Sequence, residues 1–444
     1  MKGLTKTILK QFEKSEKENA NSRLIRNALY KSTLQNLAMD GEELAKHEFF
    51  FNVDVPTMKC ANQKSSGRCW LFAATNIIRE KIGKELNIEY FELSQSYLAF
   101  WDKLEKCNWY YENIIDTANL DTDDRVVSHI IGGGVNDGGQ WDMFVNIIDK
   151  YGIVPKSVYP ETAQSSATGG LNGQINTSLK KGAAVLRDMI AGGAKKDEVE
   201  EKKNDLLSKI YVFLTECYGI PPVKFDFEYK TKDGKCVLEK DCTPLSFKDK
   251  YVGDMFDDYG SVINGPTKDK PYNRVYTIDR LGNVVGGKLI KHLNLEIEEM
   301  KAAIIAQLKD GEIVWFGCDC GKSGERAEKN LWDDKLYDYD AVTGLDTALT
   351  KAQALDYKYS AMNHAMCITG VHLDENGKPQ RWKVENSWGS DGVNSGYYIM
   401  SDSWFDKYVY QAVVNKKYLG EKAALYDGKI VTLKPWDPMG TLAD

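Results

Sequence analysis

The 444-residue chain contains no run of 18 apolar residues, the length a membrane-spanning helix requires. Its start, Met1-Lys-Gly-Leu-Thr-Lys, leads into polar and charged sequence, so no secretory signal is expected. Positive charge is not in excess. A net charge of −7 and a pI near 5.5 argue against strong nucleic-acid binding, which needs a basic face. The nine cysteines are odd in number and irregularly spaced. A disulfide framework is therefore not expected, and reduced thiols in a cytoplasmic setting are. Cys318-Asp-Cys320 and the Cys236/Cys242 pair lack the spacing of a zinc knuckle and have no histidine beside them, so no metal site is expected. The glycine-rich stretch from Gly132 to Gly139 lacks the order of a dinucleotide loop. There are no internal repeats and no low-complexity tracts.

What remains is an ordinary globular composition, 42% hydrophobic and 28% charged, in a chain long enough for two to four domains. Residues 1 to about 55 carry apolar positions at helical spacing, as do 69–86, 165–220 and 296–309. The last of these feeds a strand at Ile313-Val-Trp-Phe. Ser94 is a candidate cap for a helix after Leu93. Between 223 and 290 the runs are short and strand-like.

Two stretches carry chemistry. Gln63-Lys-Ser-Ser-Gly-Arg-Cys69-Trp70 puts a cysteine at the start of an amphipathic helical pattern of Leu71, Ala74, Ile78 and Ile82. Unpaired N–H groups give a helix start partial positive charge, which favours thiolate over thiol. Cys69 is thus a candidate nucleophile, expected to ionise before substrate arrives. Far downstream, Asn363-His364 opens a strand, Asp374-Glu-Asn-Gly377 is a turn signal, and Arg381 to Asn386 is the returning strand. Counting back from the turn sets His364 across from a position near 387, with Asn386 opposite or one step diagonal. The imidazole can take the thiol proton, and an asparagine oxygen can fix its tautomer. The Gln63 amide and the Cys69 N–H could form an oxyanion hole. Trp388 could shield the Asn–His hydrogen bond. His47, His129, His292 and His372 have no comparable setting.

Gln63 with Gly67-Arg-Cys69-Trp70, Asn363-His364-Ala and Glu385-Asn386-Ser-Trp-Gly resemble the signature of papain-like cysteine peptidases. Gly138-Gly139-Gln-Trp141 resembles that family's substrate-cleft wall. Ser66 stands where the family usually has a disulfide-bonded cysteine, which suits a reducing compartment. Cys69 and His364 lie about 300 residues apart, against about 130–150 in secreted relatives, so roughly 150 residues must be inserted. That pattern, with the ending Pro435-Trp-Asp-Pro-Met-Gly-Thr-Leu-Ala-Asp444, is similar to the bleomycin hydrolase and bacterial aminopeptidase C branch.

The resemblance implies an α+β, two-lobed papain-like core. Its expected parts are an N-terminal helical extension (1–55) and a helical lobe with the nucleophile (56–160). An inserted helical and hook-like region for assembly (161–290) precedes a β-rich lobe with His364 and Asn386 (291–420). A C-terminal arm (421–444) reaches the cleft. It further implies a homohexamer with inward-facing sites, peptide substrates, and no metal or organic cofactor. Leu442, Ala443 and Asp444 would lie extended in the cleft, restricting it to free N-termini. Some relatives end at the position of Ala443, so self-cleavage of Asp444 is an expectation. Other thiol acyltransferases, or a non-catalytic self-compartmentalised scaffold, are the competing readings.

Overall fold

The computed structural model describes residues 1–443. The N-terminal segment folds as four short helices, Lys6–Glu18, Ser22–Leu29, Leu34–Ala38 and Gly41–Lys46. The first two bury nothing and leave Leu9, Phe12, Leu24 and Leu29 exposed. The following Val53–Asp54 pairs with the strand that carries His364.

The helix Cys69–Glu85 is the centre of the helical side. The sequence pattern suggested one apolar stripe, but the helix is buried nearly all round, Thr75, Asn76 and Arg79 included. Helix Gln95–Asp116, capped by Ser94 Oγ on the Tyr97 N–H, and helix Trp141–Tyr151 pack beside it. The pair Gly169–Ala191 and Lys196–Tyr218 packs on the outside of the Gln95–Asp116 helix. A separate hairpin, Phe225–Lys230 with Cys236–Cys242, stands apart from the main sheet.

The other side is one long mixed sheet. At its centre Val409–Asn415, Val314–Cys318, His364–Leu373 and Pro379–Glu385 run antiparallel to their neighbours. One face of the sheet packs on the Cys69 helix through Ala365 and Cys367. Met366 and Ile368 belong to a second core beneath the other face, where helices Ile297–Lys309 and Asp402–Tyr408 lie. This alternation is the period-two rule of a strand buried on both sides.

Two expectations need revision. The span 161–290 is not a single inserted unit. Strands Tyr259–Ile263 and Arg274–Ile278 join the main sheet, the first beside Val409–Asn415. Short strands pair wherever an edge is open, so the chain returns to the sheet well before residue 290. The hairpin register is also later than counted. Cys367 faces Glu385, and continuing that pairing sets His364 across from Trp388. The one-residue offset is already present beside the turn, where Leu373 faces Pro379, and the irregularities between His372 and Leu373 and between Ile368 and Gly370 cancel each other.

Candidate active site

The first helical turn supplies the thiol. Arg68 precedes the helix in a non-helical conformation and makes no side-chain cap, which leaves the first N–H groups free of intrahelical partners. The Cys69 side chain is buried at 4% exposure. Its sulfur receives the Ala365 N–H at 3.4 Å and lies 3.9 Å from the Gly67 carbonyl. The Cys69 helix and the residue after His364 therefore meet at the sulfur.

His364 Nε2 lies 2.9 Å from Asn386 Oδ1. The same oxygen accepts the Ser387 N–H at 2.7 Å, which identifies it as an acceptor. The ring nitrogen must then be the donor, and Nδ1 is left to act as a base. Trp388 stacks on the imidazole, with centroids 5.0 Å apart and planes at 25°. Gln63 is buried. Its N–H bonds the Ser387 carbonyl at 2.8 Å, and its Nε2 donates to the Ser66 carbonyl at 2.6 Å. Nε2 carries two hydrogens, so one remains for another acceptor.

Burial shapes the electrostatics. It pushes the Cys69 thiol up to about 11, against the pull of the Ala365, Trp70 and Cys69 N–H groups. Burial likewise pushes the His364 imidazole down to about 4, against the hydrogen bond it donates to Asn386 Oδ1. Burial thus opposes the charged form of each group, while the N–H groups at the sulfur pull the other way.

Gly138 and Gly139 line the helical wall for separate reasons. A Cβ on Gly138 would sit 2.4 Å from the Leu442 carbonyl oxygen. A Cβ on Gly139 would meet the Trp70 ring at 2.5 Å. The C-terminal segment thus reaches this wall. Met439, Leu442 and Ala443 are buried, Thr441 Oγ1 donates to the Met362 carbonyl, and Asn136 Nδ2 donates to the Ala443 carbonyl at 2.9 Å. The arm was expected to be extended, but Pro438–Ala443 forms a 3₁₀ turn. Short i→i+3 turns are open to a segment in which proline and glycine block a regular α-helix. Asp444 lies outside the described residues.

Sequence reasoning passed over three contributors. Asp137, inside the glycine-rich stretch, accepts the Gly67 N–H at 2.9 Å and contacts Lys103 at 2.5 Å. Burial pushes its carboxyl up, but Lys103 and its hydrogen bonds hold it well below the usual carboxylate range. A charged residue among glycines was the available signal. Arg79 Nη2 and Glu385 Oε1 meet at 2.5 Å in full burial, and Asn76 Nδ2 donates to the same oxygen. That pair ties the Cys69 helix to the residue before Asn386. Arg326 lies 4.2 Å above the Trp388 ring.

Among the described residues, Glu43, His47 and Asp333 lie close enough to share a cation. His47 Nε2 already lies 2.6 Å from Asp333 Oδ2, so a hydrogen bond accounts for the group. No described helix is long and apolar enough to cross a membrane.

The model of the Peptidase C1-like family matches residues 3–440. Aminopeptidase C of Lactobacillus delbrueckii subsp. lactis is 50% identical over 397 residues, covering 88% of both chains. Bleomycin hydrolase of Homo sapiens is 40% identical over 408 residues, covering 90% of both. The crystal structure of PepW from Lactobacillus rhamnosis superimposes with a TM-score of 0.95 at 44% identity, covering 99% of each chain.

Proposed function

The chain belongs to the Peptidase C1-like family, and from that premise we propose that it is a cysteine-type aminopeptidase acting on peptides with a free N-terminus. The observation that carries the reading is one junction. The sulfur of Cys69 rests on the backbone beside His364, whose far nitrogen is fixed by Asn386.

In the proposed reaction, the Cys69 thiol gives its proton to His364 Nδ1. Moving one proton makes both charges together, and their attraction offsets the desolvation that either would suffer alone. The thiolate attacks the first peptide carbonyl. The free N–H of Gln63 Nε2 and the Cys69 N–H hold the resulting oxyanion, each worth about 2.7–4 kcal/mol. The imidazolium then protonates the departing amine, leaving a thioester. Water attacks the thioester, His364 takes its proton, and the amino acid leaves as its carboxylate. Trp388 keeps water from the His364–Asn386 bond.

The arm supplies the exopeptidase restriction in this proposal. Residues 439–443 pack along Asn136 and Gly138, where a longer acyl portion would lie, so only one residue fits before the cleaved bond. The terminal carboxylate would meet the substrate amine, with Asp444 trimmed or retained. The names of the relatives support the aminopeptidase class. A homohexamer, and a cytoplasmic setting for the nine free thiols, belong to the same proposal. The helical pair and hairpin within 169–242 would offer assembly surfaces.

The test compares an unblocked aminoacyl-amide with its N-acetylated form. Wild type should hydrolyse only the first. Cys69→Ala should lose at least about 10⁴-fold in turnover while melting like wild type. Deleting 441–444 should admit the blocked substrate. A truncated enzyme that kept strict N-terminal preference would remove the arm's role. Wild-type Cys69 inert to iodoacetamide at pH 6, with no turnover, would leave only the scaffold reading.

A further inference from the structure

Arg326 is an exposed guanidinium on the rim of the cleft, and no ion pair engages it among the described residues. It rests 4.2 Å from the centre of the Trp388 ring, and Trp388 is stacked on His364. Tyr398 meets the indole edge-on at 5.8 Å, which fixes the platform from another direction.

The nearest acidic neighbour in sequence cannot neutralise it. Glu325 is buried, and its carboxylate accepts the N–H groups of Ala327, Glu328 and Lys329, the last two at 2.9 Å. The loop closes round that carboxylate. It is tied further by Lys329 Nζ on the His47 carbonyl at 2.7 Å and by Asn394 Nδ2 on the Lys329 carbonyl at 2.9 Å. Arg326 is thus presented from a pinned loop.

Its side of the cleft follows from the chemistry. An imidazole that protonates the departing amine must face the leaving half of the substrate. The indole stacked on that imidazole, and the guanidinium on the indole, border the same half. The arm holds the other half, at Asn136 and Gly138. A guanidinium offers a planar fork of donors that fits a carboxylate in a two-point contact.

We propose that Arg326 is a specificity-determining residue that binds a carboxylate in the leaving portion of the substrate. The inference rests on the aminopeptidase reading. The carboxylate can come from two sources, the C-terminus of a very short peptide or an acidic side chain just after the cleaved bond. The first source would make the enzyme a finisher of di- and tripeptides. The second would make it favour acidic second residues.

The full-length enzyme is assayed for alanine release from two matched pairs, Ala-Gly with Ala-Gly-amide and Ala-Asp-amide with Ala-Asn-amide. Wild type should favour the carboxylate member of at least one pair by about tenfold in kcat/KM, the scale of a charge-assisted contact. Arg326→Gln should bring that ratio close to one, and Arg326→Lys should retain part of it. A ratio is read because a merely structural role for the cation over Trp388 would lower both members alike. Preference in the first pair assigns the terminal carboxylate, and in the second the side chain. Wild-type ratios near one in both pairs, or a ratio that survives Arg326→Gln, would overturn the assignment. Release of alanine from none of the four would instead overturn the aminopeptidase reading beneath it.

Discussion

On the helical side of the cleft, the loop before Cys69 is fixed by buried charge. Asp137 holds the Gly67 N–H and is itself held by Lys103, Thr168 and Asn172. Arg68 forks onto Glu161 at 3.0 and 2.9 Å. On the sheet side, the imidazole is held by neutral groups, the Asn386 amide and the Trp388 ring. The buried Glu385 carboxylate beside Asn386 points away to Arg79. The contrast fits the two tasks. In the proposed reaction a sulfur must be placed, and the buried Asp137 carboxylate, held low by Lys103, fixes the loop that places it. An imidazole must gain and lose a proton, and a neutral amide orients it without fixing the proton on the ring, as an adjacent carboxylate would.

Breaking the tie between the walls should have the largest effect. Glu385→Gln removes one of the two carboxylates on buried Arg79 and leaves only Glu80, at 3.1 Å from Nε. We expect a loss of about 1–3 kcal/mol of stability, read as a lower urea midpoint. A change under 1 kcal/mol would mean that the walls are held together elsewhere.

Crowding the helical wall should act on selectivity instead. In Gly138→Ala the new methyl would overlap the Leu442 carbonyl, a backbone atom that must move with the arm. The ratio of unblocked to N-acetylated substrate hydrolysis should fall at least about tenfold. Unchanged selectivity would show that the arm does not gate the acyl side.

The smallest effect separates the walls by pH. His292, in a strand of the sheet, bonds Ser261 Oγ and is held down to about 3 by burial. His364 is held down to about 4. Each favours unfolding once the unfolded chain begins to bind protons, so stability is full above about pH 6.5 and declines as pH falls toward 4. Asp137, held low, contributes stability that is kept down to about pH 4 and lost only below it. The sheet side should therefore weaken first in mild acid. His292→Gln should recover about 1 kcal/mol of the loss between pH 7 and pH 5.5, measured by denaturant titration at both pH values. An identical acid slope in the variant would place the sensitivity elsewhere.

Much of the site could be read before any coordinates. Cys69 at a helix start, His364 at a strand start and Asn386 at the end of the returning strand are local patterns, set by period and turn chemistry over a dozen residues. The register was readable only to within two residues, because a turn signal marks the loop without marking which residues pair first, here Leu373 with Pro379. Asp137, Arg79 with Glu385, and Arg326 were not picked out. Each acts through a partner distant in sequence, and a charged residue on its own reads as solvated surface. The strands at 259–263 and 274–278 were assigned to an insertion for the same reason. Short runs do not say which sheet they join.

The sequence by itself determined the reactive groups, the elements that carry them and the family, since these rest on side-chain identity and local periodicity. Only the tertiary structure decided which buried groups surround the sulfur and the imidazole, the 3₁₀ form of the arm and the pinning of the two walls. Those depend on how much water is excluded and on which distant groups share the buried space, and no local pattern encodes either.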